Sequence, residues 1–314
     1  MPATTTTTLA SLIPTDVVVG EMLAVARDRA SLISTCAVAR GMKTAKFSHL
    51  AAFTAAGVTE GAAVTPAAVT PTATSVTGAP REVPPVQMTR FAMETSEGDM
   101  GWLQLGGALG LALGDDQNFL ITSVFDTNFD GNYQSATATD GGGAAAALTL
   151  ACLDLALEQA EGNNTEGLAF AGDAVMVLHP AQWSDIRDDL RTSGNFIAKP
   201  EVVGINSALD PSGIAGTYYG VPIIISSKVA ANAHKAAAGT GVELVTGAAY
   251  SGGNTYKGAI FSLGQAIGFC ESMAPNVRTE ETALIATGGM NVVAGYVGAA
   301  ARFSPFLSGI QSAS

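Results

Sequence analysis

Charge is what this sequence has least of. Only 13% of its 314 residues are Asp, Glu, Lys or Arg, about half the share usual in soluble domains. So little ionic surface would not keep a large monomer dispersed, and much of the surface is expected to be covered by neighbours. Positive charge is scarcer still. The balance of 15 Lys and Arg against 27 Asp and Glu gives a net charge of -12, and no basic run exceeds Arg27-Asp28-Arg29 or Lys43 to Lys46. Neutralising a phosphate backbone needs clustered Lys and Arg, so sequence-specific nucleic-acid binding is not expected. Aromatic residues are also sparse, at 6% against 47% hydrophobic in total. The apolar content is therefore mostly Ala, Val, Leu and Ile, joined by 36 glycines, a composition that packs small side chains closely.

Three cysteines, Cys36, Cys152 and Cys270, lie far apart with no CxxC and no His at ligand spacing. Neither a disulfide framework nor a zinc site is expected from them, and they read as buried thiols of a reducing compartment. The three histidines, His49, His179 and His234, stand in unrelated contexts. His179, just before Pro180, is expected to cap a helix or pack as a neutral ring. Nucleophile elbow, P-loop and His-Glu-x-x-His motifs are all missing. Gly141-Gly142-Gly143 with Ala146 imitates a dinucleotide fingerprint, but the preceding Ser135 to Asp140 is polar where a strand is required. No catalytic residue and no cofactor is therefore expected.

Long apolar runs are absent too. The longest, Met100 to Gly114, places Gly106, Gly110 and Gly114 at the spacing of a membrane helix-dimer motif. It is shorter than the roughly 20 residues a bilayer requires, and Asp115-Asp116 closes it, so no membrane span is expected. The start, Met1-Pro2-Ala3 and then Thr4 to Thr8, has no signal-peptide pattern, which points to cytoplasmic synthesis.

What is present has a definite order. Residues 1 to 14 read as a polar arm. Val18, Met22, Val25, Leu32 and Ile33 then recur at helical spacing, predicting one helix from Thr15 to Arg40 with Gly41 as its stop. Lys43 to Phe47 is strand-like. About 35 residues from Ala51 to Val86 follow, dominated by Ala, Thr, Val, Pro and Gly, with Val-Thr pairs at 58, 64, 69 and 76. They cannot form a core of their own, and their β-branched content favours an extended two-stranded arm.

Ser96-Glu97-Gly98-Asp99 has the form of a capping box. It predicts a long helix to Phe125 with Trp102, Leu105, Leu109, Leu113, Leu120 and Val124 on one broad face, roughly 28 residues or about 40 Å. Its glycines each cost about 1 kcal/mol relative to Ala, which implies that something packs closely against that backbone. A second helix is expected from Ala144 to Glu161, a buried strand at Ala174 to Leu178, and a helix opened by Pro180 with Trp183, Ile186 and Leu190 inward. Tyr218 to Ser226 reads as a strand entered by a tight turn, and Val229 to Ala238 as a surface loop or weak helix. Lys257 to Ile267 and Asn291 to Phe303 alternate in the manner of strands.

One metal pattern stands out. Asp126-x-Asn128-x-Asp130-Gly131 spaces oxygen ligands like the first half of a calcium loop, yet the closing position is Thr137. Calcium binding and an ordinary Asn/Asp-rich turn are both compatible with it.

This order of elements resembles the tailed-phage major capsid proteins of the Hong Kong 97 type. The similarity is carried by the Lys43 to Phe47 strand, the Gly57-Val58-Thr59-Glu60-Gly61 turn, the extended arm, the capped helix from Ser96, the Gly216 to Ser226 segment, and Ala259-Ile260-Phe261 with Gly295-Tyr296. It spans almost the whole chain and rests on order and spacing more than on any signature. The resemblance implies an α+β fold in four parts. These are an N-terminal arm and helix (1 to 42), an E-loop β-hairpin (43 to 92), a peripheral domain with a spine helix (93 to 140 and 251 to 290), and an axial domain (141 to 250 and 291 to 314).

It further implies self-assembly through pentamers and hexamers into an icosahedral shell around double-stranded DNA, in a virion put together in the host cytoplasm. An acidic wall would suit that role, since it repels packed DNA. Contacts between subunits would fall on the E-loop at Val58, Glu60, Val64, Pro66, Val69 and Pro71. The expected partners are copies of the chain, a portal, decoration proteins, and a scaffold supplied separately because no long N-terminal scaffolding domain is seen. Some relatives crosslink through an E-loop lysine. Residues 47 to 92 contain none, so non-covalent joints are expected. The alternatives are an encapsulin-like compartment shell within the same fold and, outside it, a secreted adhesin or surface-layer subunit; a small-molecule enzyme ranks behind both.

Overall fold

The computed structural model describes residues 15–49, 71–89, 99–127, 133–135, 148–163, 174–192, 202–203, 214–229, 233–235, 242–244, 255–282, 289–303 and 307–313. The chain opens with helix α1 (Thr15–Arg29) and a 3-10 turn (Ser31–Thr35), then β1 (Ala37–Arg40), β2 (Thr44–His49), β3 (Thr72–Thr77), β4 (Ala79–Glu82) and β5 (Val86–Thr89). The long helix α2 (Asp99–Thr127) leads to β6 (Tyr133–Ser135), α3 (Leu150–Asn163), β7 (Ala174–Leu178) and α4 (Pro180–Thr192). Short strands β8 (Val202–Val203), β9 (Ile214–Tyr218), β10 (Val221–Ile225), β11 (Ala233–Lys235) and β12 (Val242–Leu244) precede four longer ones. These are β13 (Thr255–Ser262), β14 (Ile267–Thr282), β15 (Gly289–Arg302) and β16 (Leu307–Ala313).

Two sheets organise the molecule. One has seven strands in the order β6-β16-β13-β7-β10-β9-β8; the other follows β1-β14-β15-β4, with β5 also on β15. The seven-stranded sheet divides two cores. Val175, Val177, Ala259 and Phe261 point to a core shared with α1 and α2, while Ala174, Met176, Leu178 and Ile260 point to one shared with α3 and α4. Alternate residues of one strand thus serve opposite cores. That is why β7 reads Ala-Val-Met-Val-Leu with every position buried, as expected of a strand covered on both faces.

His179 and Pro180 show how local sequence sets an element. Pro180 occupies the first helical position of α4, and the Ala181 N–H donates to His179 Nδ1 at 3.1 Å. In return the His179 N–H donates to Gln182 Oε1 at 3.0 Å, a reciprocal cap with His in the usual Ser or Thr place. The ring also stacks on Tyr256, with centroids 4.0 Å apart. Burial pushes its pKa below the ordinary histidine value, and an accepting Nδ1 requires the neutral ring. Above about pH 6.5 the ring is neutral in both folded and unfolded chains. Below it the unfolded chain binds a proton that the fold resists, so stability falls with pH until the folded ring itself protonates. His179→Asn keeps a capping side chain without that titration. It is expected to flatten the decline of the unfolding midpoint between pH 7 and pH 5, measured by circular dichroism.

Several elements differ from expectation. α1 stops at Arg29, not Arg40, because Ala30 leaves helical geometry at φ -79, ψ 50 and side chains then satisfy local carbonyls. Ser34 Oγ donates to the Ser31 carbonyl at 2.8 Å and Thr35 Oγ1 to that of Leu32 at 2.7 Å. Ala37–Arg40 pairs in parallel with Gly268 to Glu271, so tertiary pairing overrides helical spacing. α3 begins at Leu150, after non-helical Leu148 and Thr149, where carboxylates of α4 hold its first amides. Asp185 accepts from the Leu148 N–H at 3.3 Å and Asp189 from the Leu150 N–H at 3.0 Å.

Ala233–Lys235, expected as loop or weak helix, is a strand paired with Val242–Leu244. The Tyr218 to Ser226 strand is the second half of a hairpin. Its turn, Tyr219-Gly220, has φ 47 and 83, and glycine supplies the second left-handed position without strain. β14 and β15 form one long antiparallel pair, and β13 joins β16. Contrary to the expectation of three buried thiols, Cys152 is only half-buried, while Cys36 and Cys270 are buried. Burial pushes the Cys36 thiol up to about 12.

Candidate assembly surfaces

The partner of α1 is the N-terminal half of α2, and the glycines make the contact possible. A β-carbon on Gly106 would lie 2.8 Å from the Val18 carbonyl oxygen, one on Gly110 2.6 Å from that of Met22, and one on Gly114 2.9 Å from that of Ala26. These three glycines, one turn apart, form the groove that receives α1. Val18, Met22 and Ala26 are buried along it together with Leu109 and Leu113.

Past the last glycine the contact turns polar. Asp115 accepts from Arg29 Nε at 2.7 Å and pairs with Lys228 Nζ at 3.0 Å. Partial burial works to raise its pKa, but the hydrogen bonds and charges of Arg29 and Lys228 outweigh that and hold its carboxyl below the usual range. Asn118 donates to the Arg29 carbonyl at 2.8 Å, closing the end of α1, and accepts from the Leu32 N–H at 3.3 Å. Thr122 Oγ1 donates to the Lys228 carbonyl at 2.7 Å. Asp116 accepts from the Tyr296 hydroxyl at 2.8 Å, and burial first, then this carboxylate, push the phenol well above its ordinary value. One ridge of α2 thus ties down α1, the 228 turn and β15.

The side of α2 away from its glycine groove is open. Ala108, Leu111, Ala112 and Phe119 are exposed there, Leu111 by 48% and Phe119 by 39%. They form an apolar stripe interrupted by Asp115.

The second surface is a ribbon. β2 and β3 pair antiparallel from Thr44↔Thr77 to His49↔Thr72 and belong to no larger sheet among the described residues. Of their twelve residues only Ala45 and Val76 are buried, against Cys270. Phe47 anchors the root by stacking on Phe303 at 5.4 Å. Gly268 leaves room for that ring, since a β-carbon there would lie 2.5 Å from it. Ser272 Oγ donates to the Met42 carbonyl at 2.6 Å. An isolated two-stranded ribbon is marginally stable in water, and unpaired edges invite other chains.

The sequence-predicted residues fall as follows. Leu109 and Leu113 are buried and Leu105 is packed at the edge of the same core. Trp102 lies in α2, but its side chain is outside the described residues, as is that of Leu190 in α4. Pro71 is exposed just before β3. Val58, Glu60, Val64, Pro66 and Val69, the capping residues Ser96 to Gly98, and Asn128 and Asp130 of the calcium pattern lie outside the described residues. Asp126 is in the last turn of α2. Among the described residues no group of three His, Cys, Asp or Glu is placed to hold a metal, and no helix is long and apolar enough to cross a membrane. Sequence reading missed the Arg29, Asn118 and Lys228 contacts. Its one available signal was Asp115-Asp116 closing an otherwise apolar run.

No protein-family model matches the sequence, and no curated protein matches it either. Solved structures do match in shape. The capsid of Ralstonia phage GP4 superposes with a TM-score of 0.58 at 11% identity, covering 90% of this chain and 86% of that one. The capsid of the cyanophage P-SCSP1u gives 0.57 at 16%, covering 89% and 86%. A virus-like particle from Pyrococcus furiosus gives 0.52 at 10%, covering 94% and 97%. The chain therefore has the mixed helix-and-sheet fold of phage capsid proteins, the Hong Kong 97-like fold, as the resemblance implied.

Proposed function

We propose that this chain is the major capsid protein of a tailed phage, a structural subunit that closes as pentamers and hexamers around double-stranded DNA. The observation that carries this reading is the capsid fold over nearly the full length of both chains, joined to a two-stranded ribbon that belongs to no larger sheet among the described residues and is buried only at Ala45 and Val76. In this assignment β2–β3 and the residues between them are the E-loop, α2 is the spine helix, the β1-β14-β15-β4 sheet is peripheral, and the seven-stranded sheet with α3 and α4 is axial. The E-loop residues 58 to 71 would lie on a neighbouring subunit and bury apolar surface there. Partners are copies of itself, with a portal, decoration proteins and a separate scaffold, and the site of action is the virion, assembled in the host cytoplasm. Negative-stain microscopy of the expressed chain is the test. Uniform rounded shells are expected, and a stable monomer at high concentration would overturn the proposal.

An encapsulin-like compartment shell is the second reading, since the fold is shared by a virus-like particle from Pyrococcus furiosus as well as by phage capsids. Contents discriminate: nuclease-protected DNA in particles from the native source supports a virion, and packaged protein supports a compartment. Both readings share a prediction. With no lysine in residues 47 to 92, shells boiled in detergent should run entirely as the single-chain band near 31.6 kDa. A ladder of multimers would show covalent joints.

A further inference from the structure

Between α1 and the β1–β14 edge lies an open cavity of about 340 Å³, within the size range of small-molecule pockets. One wall is apolar, formed by Leu23 of α1, Ala30 just after it, Ile33 of the 3-10 turn, and Pro275 where the register of β14 shifts. The back is polar. Gln117 of α2 lines the cavity and is only 3% exposed. Its side-chain amide is a hydrogen-bond donor and acceptor on that lining.

The charges on the lining have one sign in excess. Arg27 forms no ion pair with any described residue, whereas Arg40 Nε is 2.9 Å from Glu271 Oε2, so that pair cancels. The cavity therefore carries about one net positive charge in a chain of net charge -12. At physiological salt charges beyond about 8 Å are screened, so the lining decides which ligand is held. We propose that this cavity binds a small amphiphilic monocarboxylate, with its aliphatic tail on the Leu23–Ile33–Pro275 wall and its carboxylate on Arg27 and the Gln117 amide N–H. The proposal does not depend on whether the chain builds a virion or a compartment.

Isothermal titration of the purified full-length chain with octanoate tests it, with octylamine as the charge-reversed control. Saturable binding of one octanoate per chain is expected at about millimolar affinity or somewhat tighter, given the small number of ligand atoms. Octylamine should bind at least about fivefold more weakly, because Arg27 repels it. Arg27→Gln, at an exposed position, should weaken octanoate by about fivefold, and Ala30→Leu should abolish binding by filling the cavity. Circular dichroism confirms that each variant folds, and Arg27→Gln keeps the test valid should Ala30→Leu fail to. The proposal is overturned by octanoate binding that is not saturable, that octylamine matches, or that Arg27→Gln leaves unchanged.

Discussion

Gly110→Val should lower the unfolding free energy by about 3 kcal/mol or more, while Gly107→Ala, three residues earlier on the same helix, should raise it by up to ~1 kcal/mol. The two glycines differ only in what lies beside them. At Gly107 a β-carbon meets nothing within 4 Å, so alanine only removes the entropy that glycine brings to a helix. At Gly110 the same carbon would fall 2.6 Å from the Met22 carbonyl oxygen and 2.9 Å from Val25 Cβ. The first of these is backbone and cannot rotate aside. To admit the larger residue α1 must lift away, opening the core around Val18, Met22, Leu109 and Leu113 and lengthening the Arg29–Asp115 and Asn118–Arg29 contacts. Urea unfolding followed by circular dichroism reads both variants on one scale. Equal effects of the two substitutions would mean that the seam between α1 and α2 is not tight.

That seam was legible in the sequence as a problem: a helix carrying three glycines at four-residue spacing wastes helical stability unless another backbone needs the space. Its solution, α1, was legible as an amphipathic segment. What joined them was hidden, because Asp115, Asn118 and Thr122 meet partners 86 to 113 positions away, and no local pattern encodes a contact of that separation. Strong local signals were read correctly. Pro180 opens α4 and Ala174–Leu178 is a strand buried on both faces. Ends and weak segments were not. Residues 30–40 carry helical spacing, but Ser34 and Thr35 bond to their own backbone and Ala37–Arg40 is recruited by β14. β14 itself, with polar Glu271, Ser272, Asn276 and Arg278, lacks the alternation that marks a strand and is held by its long pairing with β15. The open stripe of α2 and the ribbon were foreseeable in kind, since low charge implies covered surface.

Val76→Asp should reduce the yield of assembled shells by tenfold or more while leaving the subunit folded. Val76 and Ala45 are the only buried residues of the ribbon, and they seat it on Cys270. A carboxylate there stays charged only if it reaches water, since burying it without a partner costs several kcal/mol. The cheapest escape is for the ribbon to swing off the body, taking the Phe47–Phe303 stack with it. The two larger cores lie elsewhere, on either side of the seven-stranded sheet, so far-ultraviolet circular dichroism and the main unfolding transition should change little. A shell, by contrast, needs every copy to offer its ribbon at one angle, and small losses of orientation multiply across many joints. Sedimentation of the variant beside the parent chain measures this. If Val76→Asp forms shells in normal yield, the ribbon is not the joint and the proposed role of residues 58 to 71 fails with it; if the subunit unfolds outright, the ribbon belongs to the core.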